Sequence, residues 1–553
     1  MDKINVTIQG GQCNGQCRQY DKGITLLEIS RDFTTHFKTA IIACTVNNNS
    51  KEMSTTRLYN DCTIEFFDLT SDFGIMVYQQ SLVFVMLMAA KDLFPQGYVT
   101  VENTLSKGLY CDFHLDYPLT PHDVEALETR MNEIIAEDLP IRRRNVPIAE
   151  AVKLFEAIGE KAKATLINQA NFEKVALYLC GEYYNNLYIV LVPSTGYLKI
   201  FELKHHAPGL ILRFPLKDAP DKLPEYIEMP KLEKVFIEAK RWGKIVECDY
   251  IATLNEYVKR GEINNVILIS EALHEKKIAE IADHIISNLN RLKMILVAGP
   301  SSSGKTTFIQ RLSIQLKVLG INTIRISVDD YFLDREKLPA NPDLESLDVV
   351  DVDLFNNHIN SLLKGEEIEL PRFDFRSGRQ FASGQKAQIH KKEILVIEGI
   401  HGLNGRLTAS VPRHHKLKIL ISPLTQIALD EHTHMRSTDA RLIRRIVRDS
   451  QFRSNDALST LRGWDSVKRG EERNIFPLSE EVDIMFNTAL IYEMAVLRTF
   501  ATPLLETVTP EYPEHREARR LTRLLSYFFP VTDAEIPLNS ILREFIGKSC
   551  FFS

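Results

Sequence analysis

Residues 294–312 read MILVAGPSSSGKTTFIQRL. The apolar run from Met294 has the pattern of a buried strand, small residues follow, and helical spacing begins at Lys305. The loop between them fits GxxxxGK[ST]. Gly299 and Gly304 permit backbone angles closed to other residues, so successive N–H groups can turn inward around an anionic phosphate. The helix that follows adds its N-terminal dipole. Lys305 is placed to reach the β and γ phosphates, and the Thr306 hydroxyl to ligate Mg²⁺. Pro300, Ser301, Ser302 and Ser303 line the turn with little bulk, and Thr307 continues the first helical turn. A strand before and a helix after favour a nucleotide site over a plain Gly/Ser turn.

Outward from this loop, apolar runs MILVAG, TIRISV, EILVIEGI, LKILIS and VDIMFN alternate with helical stretches over about residues 292–499. That alternation is what a parallel sheet flanked by helices requires. At 553 residues the chain exceeds one core, and at about 150 residues per domain several are expected. A net charge of −6 argues against a protein built mainly to coat nucleic acid. The start, MDKINVTIQGGQ, lacks the apolar stretch of a signal peptide. LVFVMLMAA from Leu82 is too short to span a bilayer and suits a buried helix, so no membrane partner is expected. Eight thinly spread cysteines suit a reduced, cytoplasmic chain. Cys13 and Cys17 are close enough to share a metal, but no second Cys/His pair lies near them in sequence.

Three further stretches carry chemistry. ISVDDYF ends the second strand of the βαβ unit, so Asp329 and Asp330 should meet the phosphate loop at the sheet's carboxyl edge, where a carboxylate can take the proton of an attacking hydroxyl. EILVIEGIHGL puts Glu398 at another strand end, in position to hold Mg²⁺ through water or to touch the acceptor, with Gly399 turning the chain. RLIRRIVRDSQFR sets Arg441, Arg445 and Arg448 on one helical face, with Arg444 beside them and Arg453 at the exit, suited to a polyanion; a salt-bridged helix with Asp439 and Asp449 is the alternative. An NKxD element of guanine-specific enzymes is absent from the sequence.

GPSSSGKTT, VDDYF, LPRFDF, VIEGI and RLIRRIVRD together resemble the uridine kinase and phosphoribulokinase family. The resemblance implies ATP and Mg²⁺ as cofactors, Asp329 as general base, and Tyr331 and Phe332 completing its motif. It implies Glu345 in the element that reaches ribose hydroxyls, although an aspartate is usual there. It also implies a lid in which Arg445 and Arg448 act on the transferring phosphate, with Arg453 at its exit among the substrate-binding residues. Phe373 and Phe375 stand where uridine kinases place aromatics beside the base, and are equally compatible with a half-buried strand. His401 fits the phosphoribulokinase pattern, and the pyrimidine-reading histidine of uridine kinases has no clear counterpart. The expected reaction is transfer of phosphate from ATP to a nucleoside 5′-hydroxyl, uridine or cytidine foremost, with a phosphorylated pentose acceptor or an ATP-switched RNA- or ribosome-binding regulator as alternatives.

The front half resembles another family. INVTIQ, AIIACTV and CTIEFFDL around TLLEISRDF are similar to the ubiquitin-like TGS domain of threonyl-tRNA synthetases. AAKDLFP, GLYCDFHLDYPLTPHDVEALETRMNEII and KHHAPG resemble the second additional, editing domain of those enzymes. The metal-site positions of that domain fall on Gln80, Phe84, Leu187 and Leu191, which cannot form the site, so editing chemistry should be absent. His205 and His206 are more simply a satisfied or surface pair than a pocket, and Arg142–Arg144 a solvated loop. The expected organisation is therefore 1–65 TGS-like, 66–222 editing-domain-like, 223–291 a helical connector, 292–499 the kinase-like α/β domain and 500–553 a helical extension. Regulation, RNA contact or assembly, a homo-oligomer included, are the roles left to the front modules.

Overall fold

The computed structural model describes residues 2–339, 346–374 and 377–552. The first unit is a five-stranded mixed sheet in which Lys3–Gln9 pairs in parallel with Cys62–Phe67 and the other pairings are antiparallel. Its helix, Leu26–Ser30, starts at a capping box in which Thr25 and Glu28 satisfy each other's backbone donors. Cys13 is buried in this core while Cys17 is exposed.

The next unit packs helices α1 (Asp72–Leu93) and Pro121–Ala136 on a four-stranded antiparallel sheet running from Tyr98–Leu105 to Glu202–His206. Helix α1 has 22 residues and is apolar enough by length and composition to cross a membrane. Its apolarity has another cause here: Val77, Leu82, Phe84 and Met86 are fully buried inside the unit. The element is thus longer than its most apolar run, and buried as that run suggests. Phe84, Leu187 and Leu191 all belong to this apolar core, and Phe84 meets Tyr183 edge-on at 5.0 Å. Dry packing therefore stands at three of the four positions where the synthetase resemblance places metal ligands, and the fourth is the amide side chain of Gln80. Arg142–Pro147 is an exposed edge strand rather than a loop, because it pairs with Lys174–Cys180. His205 lies within hydrogen-bond distance of the Leu119 carbonyl (3.0 Å) and His206 of Glu233 (3.2 Å), so both are satisfied.

Helices Pro230–Val246, Ile251–Arg260 and Ile263–Ser287 lead to a sheet of five parallel strands. We label them β1 (Met294–Ala298), β2 (Asn322–Ser327), β3 (Glu393–Glu398), β4 (Lys416–Ser422) and β5 (Ile484–Asn487), in spatial order β2-β3-β1-β4-β5. All five apolar runs read from the sequence are strands. Every residue of β1 is buried, as a central parallel strand covered on both faces demands. Helix α2 (Lys305–Val318) follows the phosphate loop, and α3 (Ser437–Phe452) and α4 (Ala457–Asn474) lie between β4 and β5 in sequence.

The C-terminal stretch is no appendage. Ile541, Leu542, Phe545 and Ile546 share one core with Ile295, Phe308 and Ile446. Upstream in the same stretch, Arg516 lies 4.4 Å from the Phe67 ring of the first unit, and Arg520 pairs bidentately with Asp439 of α3 at 2.6 and 2.8 Å. A buried polar cluster ties the second unit to the kinase-like domain: the Lys163 ammonium donates to Asn185 and pairs with Glu160 at 2.8 Å and Asp430 at 3.8 Å. Burial pushes the Lys163 pKa down, but Asp430 and Glu160 outweigh it and hold the group charged.

Candidate active site

The loop between β1 and α2 is shaped for a phosphate. Gly299 passes so close to β4 that a Cβ there would sit 2.2 Å from the Ile421 carbonyl oxygen. Gly304 has φ +83° and is closely covered by Ile541, whose Cγ2 would be 2.5 Å from an added Cβ. The Ser302 and Ser303 hydroxyls are buried without a protein hydrogen-bond partner. Lys305 curls back and donates to the Gly299 and Pro300 carbonyls at 2.9 and 3.1 Å.

Strand register brings the acids to this loop. Glu398, last residue of β3, pairs with Val297 of β1 on one side and Ser327 of β2 on the other. Asp329 follows Ser327 in the 3₁₀ turn Val328–Tyr331, and the loop starts just after Val297. Parallel strands thus deliver all three elements to one carboxyl edge. Gly399, at φ +154°, allows β3 to end against that turn, since a Cβ would lie 2.8 Å from Val328 Cβ.

The charges respond to one another. Burial pushes the Asp329 carboxyl up, with Lys305 and Arg453 pulling the other way. Burial pushes Lys305 down, and Asp329 leads the carboxylates that resist, ahead of Glu398. Glu398 is pushed up to about 7, mainly by burial and further by Asp329 and Glu544, against the pull of Lys305. Asp329 and Glu398 are therefore the two carboxylates whose charges act most strongly on the loop lysine.

Not every expected residue faces this cleft. Tyr331 is buried, lies 3.0 Å from His358 Nδ1 and packs on Phe355, so it fixes the turn rather than lining an acceptor pocket. An aromatic ring beside an acidic strand end gives no local sign of which way it will point. Phe332 and Phe373 meet edge-on at 5.5 Å, and the Phe373 N–H donates to Asp330 at 3.4 Å, which ties the strand Ile368–Asp374 to the acidic turn. His401 is buried. Glu345 and Phe375 lie outside the described residues.

The arginines divide. Arg445 donates to the Ser301 hydroxyl at 2.8 Å and lies 3.2 Å from Asp449. Arg448 gives two hydrogen bonds to Asp449. Arg453 is exposed, and its charge reaches Asp329. Arg441 and Arg444, by contrast, are fully interior, paired with Glu471 and Glu493. Helix α3 thus packs against the phosphate loop through Arg441 and Arg445, and the salt-bridged alternative with Asp449 fits Arg448.

Two acids that sequence reasoning missed complete the site. Glu471, from α4, accepts the Ser301 N–H at 2.8 Å and also binds Arg441, whose Nε donates to the Ser301 carbonyl. Glu544, from the C-terminal stretch, accepts both the Thr307 N–H (3.0 Å) and the Thr307 hydroxyl (2.8 Å). No local pattern marks either one, since their partners lie 170 and 237 residues away in sequence.

Residues 294–491 match the phosphoribulokinase / uridine kinase family. This kinase-family domain follows a stretch similar to threonine–tRNA ligases. The ligase of Citrifermentans bemidjiense is 30% identical over 260 residues, which are 47% of this chain and 38% of that protein. The ligase of Geobacter sp. strain M21 is 32% identical over 203 residues, 37% of this chain and 31% of that protein. The chain spans about a third of the length of these curated relatives. Among solved structures, a possible uridine kinase from Bacillus stearothermophilus is 15% identical with a TM-score of 0.28, covering 38% of this chain and 98% of its own. The D-glycerate 3-kinase of Cryptococcus neoformans is 17% identical with a TM-score of 0.22, covering 45% and 87%.

Proposed function

We propose that the kinase-family domain transfers the γ phosphoryl group of ATP to the 5′-hydroxyl of a nucleoside, uridine or cytidine foremost. The observation that carries this reading is the meeting of Asp329, Glu398 and Lys305 at one sheet edge, their charges mutually tuned. Asp329 takes the proton of the attacking hydroxyl, and its raised pKa makes it a better base than a solvated carboxylate. Lys305 and Arg445 balance charge on the phosphoryl group in transit. The buried, unpartnered hydroxyls of Ser302 and Ser303 and the anion-seeking amide of Thr307 fit the polyphosphate of a nucleotide. The Thr306 hydroxyl and Glu398 would hold Mg²⁺, which when bound screens the phosphates' negative charge. Phe373, buried edge-on against Phe332, would reach a base only from behind the acidic turn.

A second reading, a phosphorylated pentose as acceptor, is favoured by one feature. Arg453 presents an exposed guanidinium whose charge reaches Asp329, where an acceptor's own phosphate could be met. For the front half, the ligase-like sequence without metal ligands supports binding or regulation, RNA contact included, over editing. A panel of nucleosides and pentose phosphates offered to the full chain with Mg·ATP, read by coupled ADP release and product mass, tests the proposal. A nucleoside monophosphate as main product supports it. ADP release without any phosphorylated small molecule would count against both readings.

A further inference from the structure

Thr307 lies in the first turn of α2, where backbone N–H groups have no intrahelical acceptor. The Phe308 N–H already reaches the Gly304 carbonyl at 3.0 Å, so the Thr307 amide is the open donor next along the helix. Backbone N–H groups of such a loop cradle the α and β phosphates, and the Thr307 amide continues that row past Lys305 and Thr306, so we take it to meet the phosphate nearest the nucleoside. Both Thr307 donors point instead at a single oxygen, Oε2 of Glu544.

The carboxylate is held there by construction. Ile541 and Leu542 before it and Phe545 and Ile546 after it are buried, Ile541 against Gly304 itself. Phe545 packs beneath the Arg444 guanidinium at 5.0 Å. Arg543 is interior too, donating to Asp533 and to the carbonyls of Asp533 and Ile536. Glu544 is the partly exposed member of this anchored stretch, so its side chain can swing away while its neighbours stay docked. Its charge is also felt by Lys305 and Glu398. Glu544 therefore adds a third acid, beside Asp329 and Glu398, around one lysine that must receive a polyanion.

We propose that Glu544 is a resident competitor for the donor's nucleoside-proximal phosphate: its carboxylate occupies the Thr307 amide and hydroxyl, and a nucleotide binds only by displacing it. Glu544 is then a donor-specificity residue of the nucleotide site proposed above, and the inference rests on that reading. Apparent affinity is the intrinsic affinity multiplied by the fraction of molecules in which the carboxylate has withdrawn. A donor too short to need Thr307, such as inorganic pyrophosphate, escapes this penalty.

The test is calorimetric titration of the full-length protein with Mg·ATP and with Mg·pyrophosphate, for the parent, Glu544→Gln and Glu544→Ala. Glu544→Gln is isosteric and guards against misfolding of the segment. Expected is a tightening for ATP of about 10-fold or more in Glu544→Ala, with Glu544→Gln intermediate because its amide oxygen still accepts the bonds without the charge. Pyrophosphate should change by less than about 3-fold. ATP affinity unchanged or weakened in both variants overturns the proposal. Equal tightening for both ligands also overturns it, because that is the signature of relieved bulk charge and not of a vacated Thr307 contact. If ATP binds none of the three proteins, the nucleotide-site reading falls together with it.

Discussion

Truncating Glu471 should loosen the phosphate loop far more than an acid outside the reaction suggests. Its side chain is 2% exposed and that of its partner Arg441 is 3% exposed. Between them they hold the Ser301 N–H at 2.8 Å and the Ser301 carbonyl at 3.1 Å, so one residue of the loop is clamped from both sides. In Glu471→Ala the guanidinium stays buried without its counter-ion, a loss of about 3–5 kcal/mol for a broken interior pair. The orphaned Ser301 N–H adds a penalty of about 1–3 kcal/mol where the loop cannot reach water, and the two overlap because a shift that hydrates one hydrates the other. We therefore predict a net loss of roughly 3–5 kcal/mol in the local opening free energy. A chain of several units need not unfold in one step, so the suitable assay is amide hydrogen exchange followed by mass spectrometry on peptides covering residues 299–312. Protection there should fall by roughly two to four decades, while peptides of the first unit keep theirs. Glu471→Gln retains an acceptor for Ser301 but not the charge, and should lose protection while keeping more nucleotide affinity than the alanine variant. Protection within about 3-fold of the parent in Glu471→Ala would refute the reasoning, since it would mean that Arg441 finds a new partner at no cost.

Two other outcomes follow from the charge distribution. Glu398 has a pKa raised from 4.5 to about 7, so the folded state binds a proton that the unfolded chain has released. Its contribution to stability therefore declines as pH rises from about 4.5 to 7; the fall in exchange protection of peptides covering β3 from pH 5 to pH 8, corrected for intrinsic exchange rates and measured without Mg²⁺, should shrink in Glu398→Gln, and an unchanged fall would contradict the assignment. Lys163→Met removes the cation facing Glu160 and Asp430 in the interior, at a cost of about 3–5 kcal/mol; raised exchange in the hairpin Ala428–His434 is the expected readout, and parent-like protection would show that the cluster does not join the two units.

Much of this architecture was legible because it is written in local patterns. The buried strands of a parallel sheet are continuous apolar runs, and the phosphate loop carries its own glycines, lysine and threonine. Asp329 and Glu398 could be placed because each ends such a run, and parallel strands share an edge. Phe84, Leu187 and Leu191 could be read as ending metal chemistry from residue type alone, and the structure supplies the packing that replaces it. What stayed hidden was long-range. Glu471 and Glu544 are ordinary acids on unremarkable segments until the fold brings them to Ser301 and Thr307. The apolar C-terminal stretch gave no hint that Ile541 would cover Gly304. For the arginines of α3, helical spacing gives a shared face but not what that face meets. Arg441 and Arg444 turned out to be structural because acids from α4 and from Glu493 wait in the interior.

The central claim is that a half-buried carboxylate at the tip of β2 works on a hydroxyl held before a cradled triphosphate. Asp329→Asn keeps shape and removes the base, so turnover of uridine or cytidine with saturating Mg·ATP is the direct measurement. The account predicts a fall of about 10²- to 10⁴-fold with ATP affinity retained. A variant that still phosphorylates its nucleoside at the parent rate would contradict it.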